Sequence, residues 1–417
     1  MKVTTIILAG GQGTRLQPLT THHSKPAVCY GGRYRLIDIP ISNSLNSDLR
    51  QIFVITQYLP EELHHHIHQT YRFDTNHPGS LEILSPQKNI DGELQLYAGT
   101  ADAVRKNLPF ILKSPADYFL ILSGDQLYNI NFQEMIQFAK SKNAELTIAS
   151  LSVSEKDARR MGLLSIDSQN KVVDFIEKPQ DPQILHKFEL SSRFFENFQI
   201  SEPQTPYYLG SMGIYVFTRE ALCSLLHSDQ RNDFGYHLIT TAVKKGNTVA
   251  HVYKGYWEDI GTVASYYEAN LCLAGSDKGL NTYDQKNPIY TRPTFLPGPK
   301  IKSAKISQSI VCEGCIIEAE EISNCIIGFR SHIKQGSIIR DTIMMGNHFR
   351  NEPELDYWIG ENCHIEKTII DERVQIGDRV KITNKNKHIT FDGDGIFVRD
   401  GITIITAGTT IPDGYEF

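Results

Sequence analysis

Ile6-Ile7-Leu8-Ala9-Gly10-Gly11-Gln12-Gly13-Thr14-Arg15-Leu16 sets a short apolar run directly against three glycines and an arginine. A continuous apolar run of this length reads as a strand covered on both faces. Glycines let successive backbone N–H groups turn toward an anion, and the arginine adds a planar charged fork. Such a loop wraps phosphates, and the ligand class it implies is a nucleoside triphosphate. Gly10, Gly11, Gly13, Thr14 and Arg15 are therefore the first candidate residues. Two rival signatures fail on spacing. A P-loop needs Gly-x-x-x-x-Gly-Lys-Ser/Thr, which is absent. A dinucleotide fingerprint needs a third glycine where Leu16 stands.

The same alternation continues outward. Apolar runs at Gln51–Thr56, Tyr118–Leu122 and Leu146–Leu151 predict buried parallel strands, with helical patterns at Ala101–Leu112 and Phe132–Lys142 between them. Gly213–Phe217 and Thr248–Tyr253 add further strand signals. Residues 1–287 thus read as an α/β, doubly wound domain with ligands at the carboxyl ends of its strands. Residues 288–417 follow another rhythm. After the proline-rich crossover Pro293–Pro299, isoleucine recurs at about every sixth position: Ile310, Ile316, Ile322, Ile327, Ile333 and Ile339. An interruption around Met344–Asp356 follows, then Ile359, Ile365, Ile370, Ile376 and Ile382. A six-residue period is the signature of a parallel β-helix.

Composition excludes several classes. The 417 residues are 40% hydrophobic and 22% charged, ordinary for a globular protein of two or three domains. A net charge of −6 without a basic run argues against nucleic acid as a partner. The apolar run before Gly10 is too short for a signal-peptide core, and no run approaches the roughly eighteen residues a membrane span requires. Seven scattered cysteines fit reduced thiols in the cytoplasm.

Three motifs carry chemistry. Asp125, in Ser123-Gly124-Asp125-Gln126 at a strand end, reads as an anchor for Mg²⁺ on phosphates or as a turn cap. Asp259, in Tyr256-Trp257-Glu258-Asp259-Ile260-Gly261-Thr262, is a second acid whose convergence with the first is not legible. Glu177-Lys178-Pro179 offers an acceptor for sugar hydroxyls and a point charge for a phosphate, or an exposed ion pair. His64-His65-His66 with His68 lacks a clear third metal ligand and reads as a solvated helix face. Cys312 and Cys315 lie inside the repeat and read as coil positions.

The chain resembles the glucose-1-phosphate adenylyltransferases (ADP-glucose pyrophosphorylases), in particular their plant and cyanobacterial branch. The resemblance rests on Leu8–Leu16, Lys25-Pro26-Ala27-Val28, Arg35–Asn43, Thr56-Gln57-Tyr58 and Gly99–Val104. It continues through Glu177-Lys178-Pro179, Ser211–Val216, Asp233-Phe234-Gly235 and Tyr256–Thr262, in family order over essentially the whole chain. It implies a Rossmann-like nucleotidyltransferase domain followed by a left-handed parallel β-helix. It also implies transfer of an adenylyl group from ATP to glucose 1-phosphate for glycogen- or starch-type synthesis, Mg²⁺ as cofactor, and a cytoplasmic homotetramer. By position, Arg15, Lys25 and Asp125 would be catalytic, and Asp125 with Asp259 would bind the metal. Gly10, Gly11, Gly13, Thr14, Gln57, Gly99 and Thr100 would hold the nucleotide. Tyr97, Gly162, Glu177, Lys178, Ser211 and Tyr215 would hold glucose 1-phosphate. The alternatives are a low-activity regulatory subunit of such an enzyme, or an enzyme using another nucleotide.

The chain departs from the family where effectors bind. His22 and His23 stand where regulated members carry Lys and Arg, and Glu372 and Thr406 where the plant-like branch has activator lysines. Leu96, Ala98 and Gln126 are further departures. Anion pockets depend on cations, so weak or absent activation by 3-phosphoglycerate is expected. Arg33 and Arg35 are the residues that could rebuild the pocket.

Overall fold

Successive side chains of the opening strand Val3–Ala9 go to opposite faces of a sheet, Ile7 into one apolar core and Ile6 into another. Its neighbours divide alike: Ile52 and Val54 face the first core, Phe53 and Ile55 the second. A strand with a core on each side needs apolar residues at every position, hence the unbroken runs. The computed structural model describes residues 2–74, 78–87, 93–275, 278–347 and 358–417.

Val3–Ala9 pairs in parallel with Gln51–Thr56 and with Tyr118–Ser123, and Gln51–Thr56 pairs in parallel with Ser80–Leu84. Beyond Tyr118–Ser123 the sheet becomes mixed, because Tyr207–Thr218 runs antiparallel to it. The sheet then forks, through Leu146–Ser154 to Thr248–Val252 and through Gly162–Ile166 to Val172–Glu177, giving nine strands. The parallel strand expected at Leu146–Leu151 is parallel only to Thr248–Val252 and antiparallel to Tyr207–Thr218. A continuous apolar run reports burial on both faces, not strand direction. The expected helices form as Thr100–Ile111 and Phe132–Ser141. Leu8 pairs with Ser123, and the Gly124 amide donates to the Leu8 carbonyl at 2.9 Å, so the loops after these two strands emerge side by side.

The C-terminal region coils into three sheets of parallel strands whose inward side chains stack in register, the third extended by the antiparallel strands Ile396–Arg399 and Phe391–Asp392. One ladder is Ile301, Ile317, Ile333, Ile359, Ile376 and Ile411. The second is Ile306, Ile322, Ile339, Ile365 and Ile382, and the third Val311, Ile327, Met344, Ile370 and Ile405. Ile310 and Ile316, expected inside, are instead half-buried neighbours of the inward Val311 and Ile317. The phase slips because some corners span five residues: Ile322 follows Ile317, and Ile327 follows Ile322, by five positions. Of the interruption around Met344–Asp356, residues 348–356 lie outside the described residues.

The residue just before each inward one on the third sheet has its own function. Ile310, Ile326, Ile343, Ile369 and Ile404 form an outward ladder, and all but Ile310 are fully buried. They share one core with Tyr266, Tyr267 and Ala269 of the helix Val263–Gly275. Burying each such side chain is worth roughly 2 kcal/mol, so this seam ties the coil firmly to the sheet domain. Polar contacts cross it as well. The Tyr267 hydroxyl donates to the Asp341 carbonyl at 2.5 Å, and Arg35 pairs with Glu372 at 3.0 Å. The crossover is pinned too, through Asn46 to the Pro288 carbonyl and Ser42 to the Tyr290 amide.

Candidate active site

The paired loops open into a cleft of about 560 Å³ at the carboxyl ends of the central strands. Gly10, Gly11, Lys25, Gln57, Tyr97, Gly99, Thr100 and Asp125 line it together with Glu177, Lys178 and Tyr215. A smaller hollow of about 140 Å³ adjoins it, lined by Gly162, Ser211 and Asp259, and shares Gln126, Glu177 and Tyr215 with the first. Residues scattered between positions 10 and 259 are thus gathered into one depression.

Gly13, Thr14 and Arg15 stand outside that lining. Gly13 has φ +65°, the left-handed conformation that lets the loop turn into the short helical segment Thr14–Leu16. Its backbone packs on Lys25 and Thr20, and the Thr20 hydroxyl donates to its carbonyl at 2.8 Å. Thr14 and Arg15 are exposed, with the Arg15 guanidinium next to Gly261 and near enough to act on the charges of Lys25 and Asp259.

The electrostatic centre is a buried triad. Lys25 Nζ contacts Asp125 Oδ2 at 2.5 Å, and the Ser123 hydroxyl donates to Asp125 Oδ1. Asp259 arrives from a distant segment because Trp257–Asp259 pairs antiparallel with Gln126–Tyr128, which sets Asp259 against Gln126. This pairing supplies the convergence that spacing alone left open. Burial works against the Lys25 charge, but Asp125 and Asp259 more than offset it and hold its pKa above the ordinary lysine value. Burial likewise opposes ionisation of Asp125, which Lys25 reverses, so its pKa falls below the ordinary value. For Asp259, burial and then the Asp125 charge raise the pKa. Two buried carboxylates that repel one another form an all-oxygen donor set fitted to a hard divalent cation, which completes its shell with phosphate oxygens and water. Among the described residues no group of three or more His, Cys, Asp or Glu forms a self-sufficient metal cage.

Elsewhere in the lining Glu177 lies in a narrow slot. A Cβ on Gly162 would come within 2.7 Å of Glu177 Oε2, so the glycine is required for the strands to close around the carboxylate. Burial raises the Glu177 pKa, and Lys178, whose Nζ is 3.5 Å from Oε1, acts in the other direction. Ser211 and Tyr215 lie on the long strand behind it, where burial pushes the Tyr215 hydroxyl well above its usual range.

Gln57 lines the cleft and is hydrogen-bonded to the loop beside it. Its Oε1 accepts from the Tyr97 amide at 2.6 Å and its Nε2 donates to the Tyr97 carbonyl at 3.4 Å. The amide is thus committed to holding the loop that leads to Gly99 and Thr100. Tyr97 is tied at its hydroxyl to Asn107 at 2.9 Å. Sequence reasoning assigned no role to Asp233, yet Thr100 Oγ1 donates to its carboxylate at 3.3 Å and it lines the cleft. Its place in the motif Asp233-Phe234-Gly235 was the available signal. Arg160 and Trp257, also unassigned, line the smaller hollow.

Two of the regulatory departures, His23 and Glu372, lie close together in the domain seam. His23 contacts Glu62, Glu372 pairs with Arg35, and Arg33 pairs with Glu313. Thr406 donates from its amide to the Gly395 carbonyl at 3.0 Å. The histidine run is not uniformly solvated: His64 bonds Thr56 at 2.8 Å and His66 bonds Asp38 at 2.6 Å, while His65 and His68 are exposed. The seven cysteines form no disulfide, and Cys312 and Cys315 are buried. No helix among the described residues is long and apolar enough to cross a membrane.

Comparison with known families agrees with this geometry. The nucleotidyl transferase family model matches residues 4–275, and the GLGC left-handed parallel β-helix domain model matches residues 294–415. A fold of this kind implies a nucleotide and a sugar phosphate as substrates. With the first match spanning more than half its length and the second its repeat region, the chain belongs to the nucleotidyl transferase family and carries a GLGC-type left-handed β-helix.

Proposed function

We propose that this protein transfers the adenylyl group of ATP to glucose 1-phosphate, producing ADP-glucose and pyrophosphate, and that it works as a homotetramer. The observation that carries the reading is the single cleft whose lining brings Gly10 and Gly11 of the glycine loop, Lys25 and Asp125 together with Glu177, Lys178 and Tyr215. That lining combines the contrasting chemistry that a triphosphate and a sugar phosphate need.

In this reading the backbone of Gly10–Gly13 receives the triphosphate, and Arg15 and Lys25 offset charge on the phosphates. Thr100 and Gly99 border the nucleotide, with Gln57 acting through the loop it holds. Glu177 accepts from sugar hydroxyls, and Lys178 meets the sugar's phosphate. The sugar phosphate is already an anion at neutral pH, so its oxygen attacks the α-phosphorus in line without a general base. Catalysis reduces to positioning and to charge neutralisation. Mg²⁺ held by Asp125 and Asp259 would supply Lewis-acid neutralisation of the phosphates. Lys25 then divides its charge between Asp125 and the incoming phosphate, which its raised pKa keeps available at neutral pH.

The test is pyrophosphate release by the purified chain with Mg²⁺, glucose 1-phosphate and ATP, UTP, GTP or dTTP in turn. Preferred turnover with ATP supports the proposal. Preference for another nucleotide would reassign the donor, and no turnover by folded protein would favour a regulatory subunit.

A further inference from the structure

We propose that Tyr236 is a positioning residue that holds the Lys178 ammonium ready for the phosphate of the sugar substrate. The inference rests on the reading of Lys178 given above. Lys178 Nζ lies 5.2 Å from the centroid of the Tyr236 ring, within the range of a cation–π contact. Both side chains are partly exposed at the rim of the cleft, so neither is fixed by a surrounding core.

The platform beneath the ring is rigid. Tyr236 lies in the first turn of the helical segment Phe234–Ile239, and its amide donates to Asp233 Oδ1 at 3.0 Å. The other carboxylate oxygen of Asp233 accepts from the Thr100 hydroxyl, which in turn accepts from the Phe234 amide at 3.0 Å. The backbone of Tyr236 is therefore anchored to the nucleotide side of the cleft, while its ring reaches the lysine on the sugar side. Lys178 has its own restraint, a left-handed φ of +49° and an amide donating to the Met161 carbonyl at 3.0 Å.

An aromatic face suits this task better than a second carboxylate. A carboxylate would neutralise the ammonium and compete with the substrate's phosphate, as Glu177 partly does at 3.5 Å. A ring attracts the cation through its quadrupole, restricts the flexible stem and leaves the full charge for an anion. Ordering the lysine before the ligand arrives lowers the entropy lost on binding. The expected signature is weaker sugar-phosphate binding without a change in the chemical step.

The experiment is steady-state kinetics on the full chain for Tyr236→Leu, Tyr236→Phe, Lys178→Gln and the Tyr236→Leu/Lys178→Gln double variant. Tyr236→Leu is expected to raise KM for glucose 1-phosphate about threefold to tenfold. Its kcat and its KM for ATP are expected to stay within about twofold of the parent values. Tyr236→Phe, which keeps the ring, should restore the parent KM. In the Lys178→Gln background the leucine substitution should have no further effect, because the partner is gone. An unchanged KM in Tyr236→Leu, an equal effect in both backgrounds, or no rescue by phenylalanine would each overturn the inference. If Lys178→Gln itself leaves the sugar-phosphate KM unchanged, the assignment of that phosphate to Lys178 falls and the tyrosine's role with it. If Lys178→Gln raises KM and Tyr236→Leu does not, the tyrosine's role alone falls.

Discussion

Replacing Asp371 with asparagine should make the protein more stable at neutral pH, by an amount that grows as pH rises. Asp371 is 6% exposed in the seam between the two domains. Burial raises its pKa from 3.8 to about 6, opposed by the His23 charge, by the hydrogen bond from the Glu372 amide and by Arg35, while the Glu372 charge adds a smaller rise. An acid whose pKa is raised by folding favours the native state while protonated. That stabilisation is complete below the unfolded value near 3.8 and is lost as pH climbs through about 6. A shift of roughly two units is worth about 3 kcal/mol, of which about 1.5 is already lost at pH 5 and the remainder by pH 7.5. Asparagine cannot ionise, and its carbonyl can still accept the Glu372 amide that now donates to Asp371 at 2.7 Å. The assay is the Tm difference between Asp371→Asn and the parent, measured from pH 5 to pH 8. It should widen by a few degrees in favour of the variant and level off above pH 7. A difference that is flat, or that shrinks with rising pH, would refute the assignment of a raised pKa to Asp371.

Four further outcomes are expected. Asp125→Asn should lower kcat for pyrophosphate release at least about a hundredfold, the scale for a central electrostatic group, while near-native circular dichroism shows the fold retained. Gly162→Ala should raise KM for the sugar phosphate far more than KM for ATP, because the new methyl group would displace Glu177 and Phe175; equal effects would refute the slot around Glu177. Ile343→Ala in the outward ladder should cost about 2–4 kcal/mol by chemical denaturation, whereas Ile310→Ala, half-buried at the ladder's end, should cost less than about 1 kcal/mol. Addition of 3-phosphoglycerate should change turnover less than about twofold, since Arg35 and Arg33 are already paired with carboxylates; a many-fold activation would refute this.

Much of the architecture was legible because it depends on one-dimensional patterns. Ile6 and Ile7 announce a strand between two cores, and recurring isoleucines announce stacked coils. The exact phase was not legible, since a five-residue corner exchanges Ile316 for Ile317 while keeping an isoleucine near the expected position. Site residues followed the same division. Gly10, Lys25, Asp125 and Lys178 sit in recognisable motifs and do line one cleft. The approach of Asp259 to Asp125 depends on pairing between strands well over a hundred residues apart, which no local spacing encodes. Gln57 came to notice only through the family motif Thr56-Gln57-Tyr58, and its hydrogen bonds to Tyr97 are tertiary contacts that no local spacing encodes. The partnership of Tyr236 and Lys178 was hidden for the same reason.

The outward isoleucine ladder has a consequence for how the two domains find their alignment. Its rungs are chemically identical, so it resembles a ruler without numerals. Sliding the helix Val263–Gly275 by one coil, roughly 4.8 Å, would still lay it on isoleucine. Hydrophobic burial therefore makes the domains adhere without deciding at which rung. The numerals are written in contacts that occur once: Tyr267 to the Asp341 carbonyl, Arg35 to Glu372, and the close approach of Gly32 to Gly328. Adhesion and address are thus assigned to different residues, and a substitution that spares the first can still erase the second.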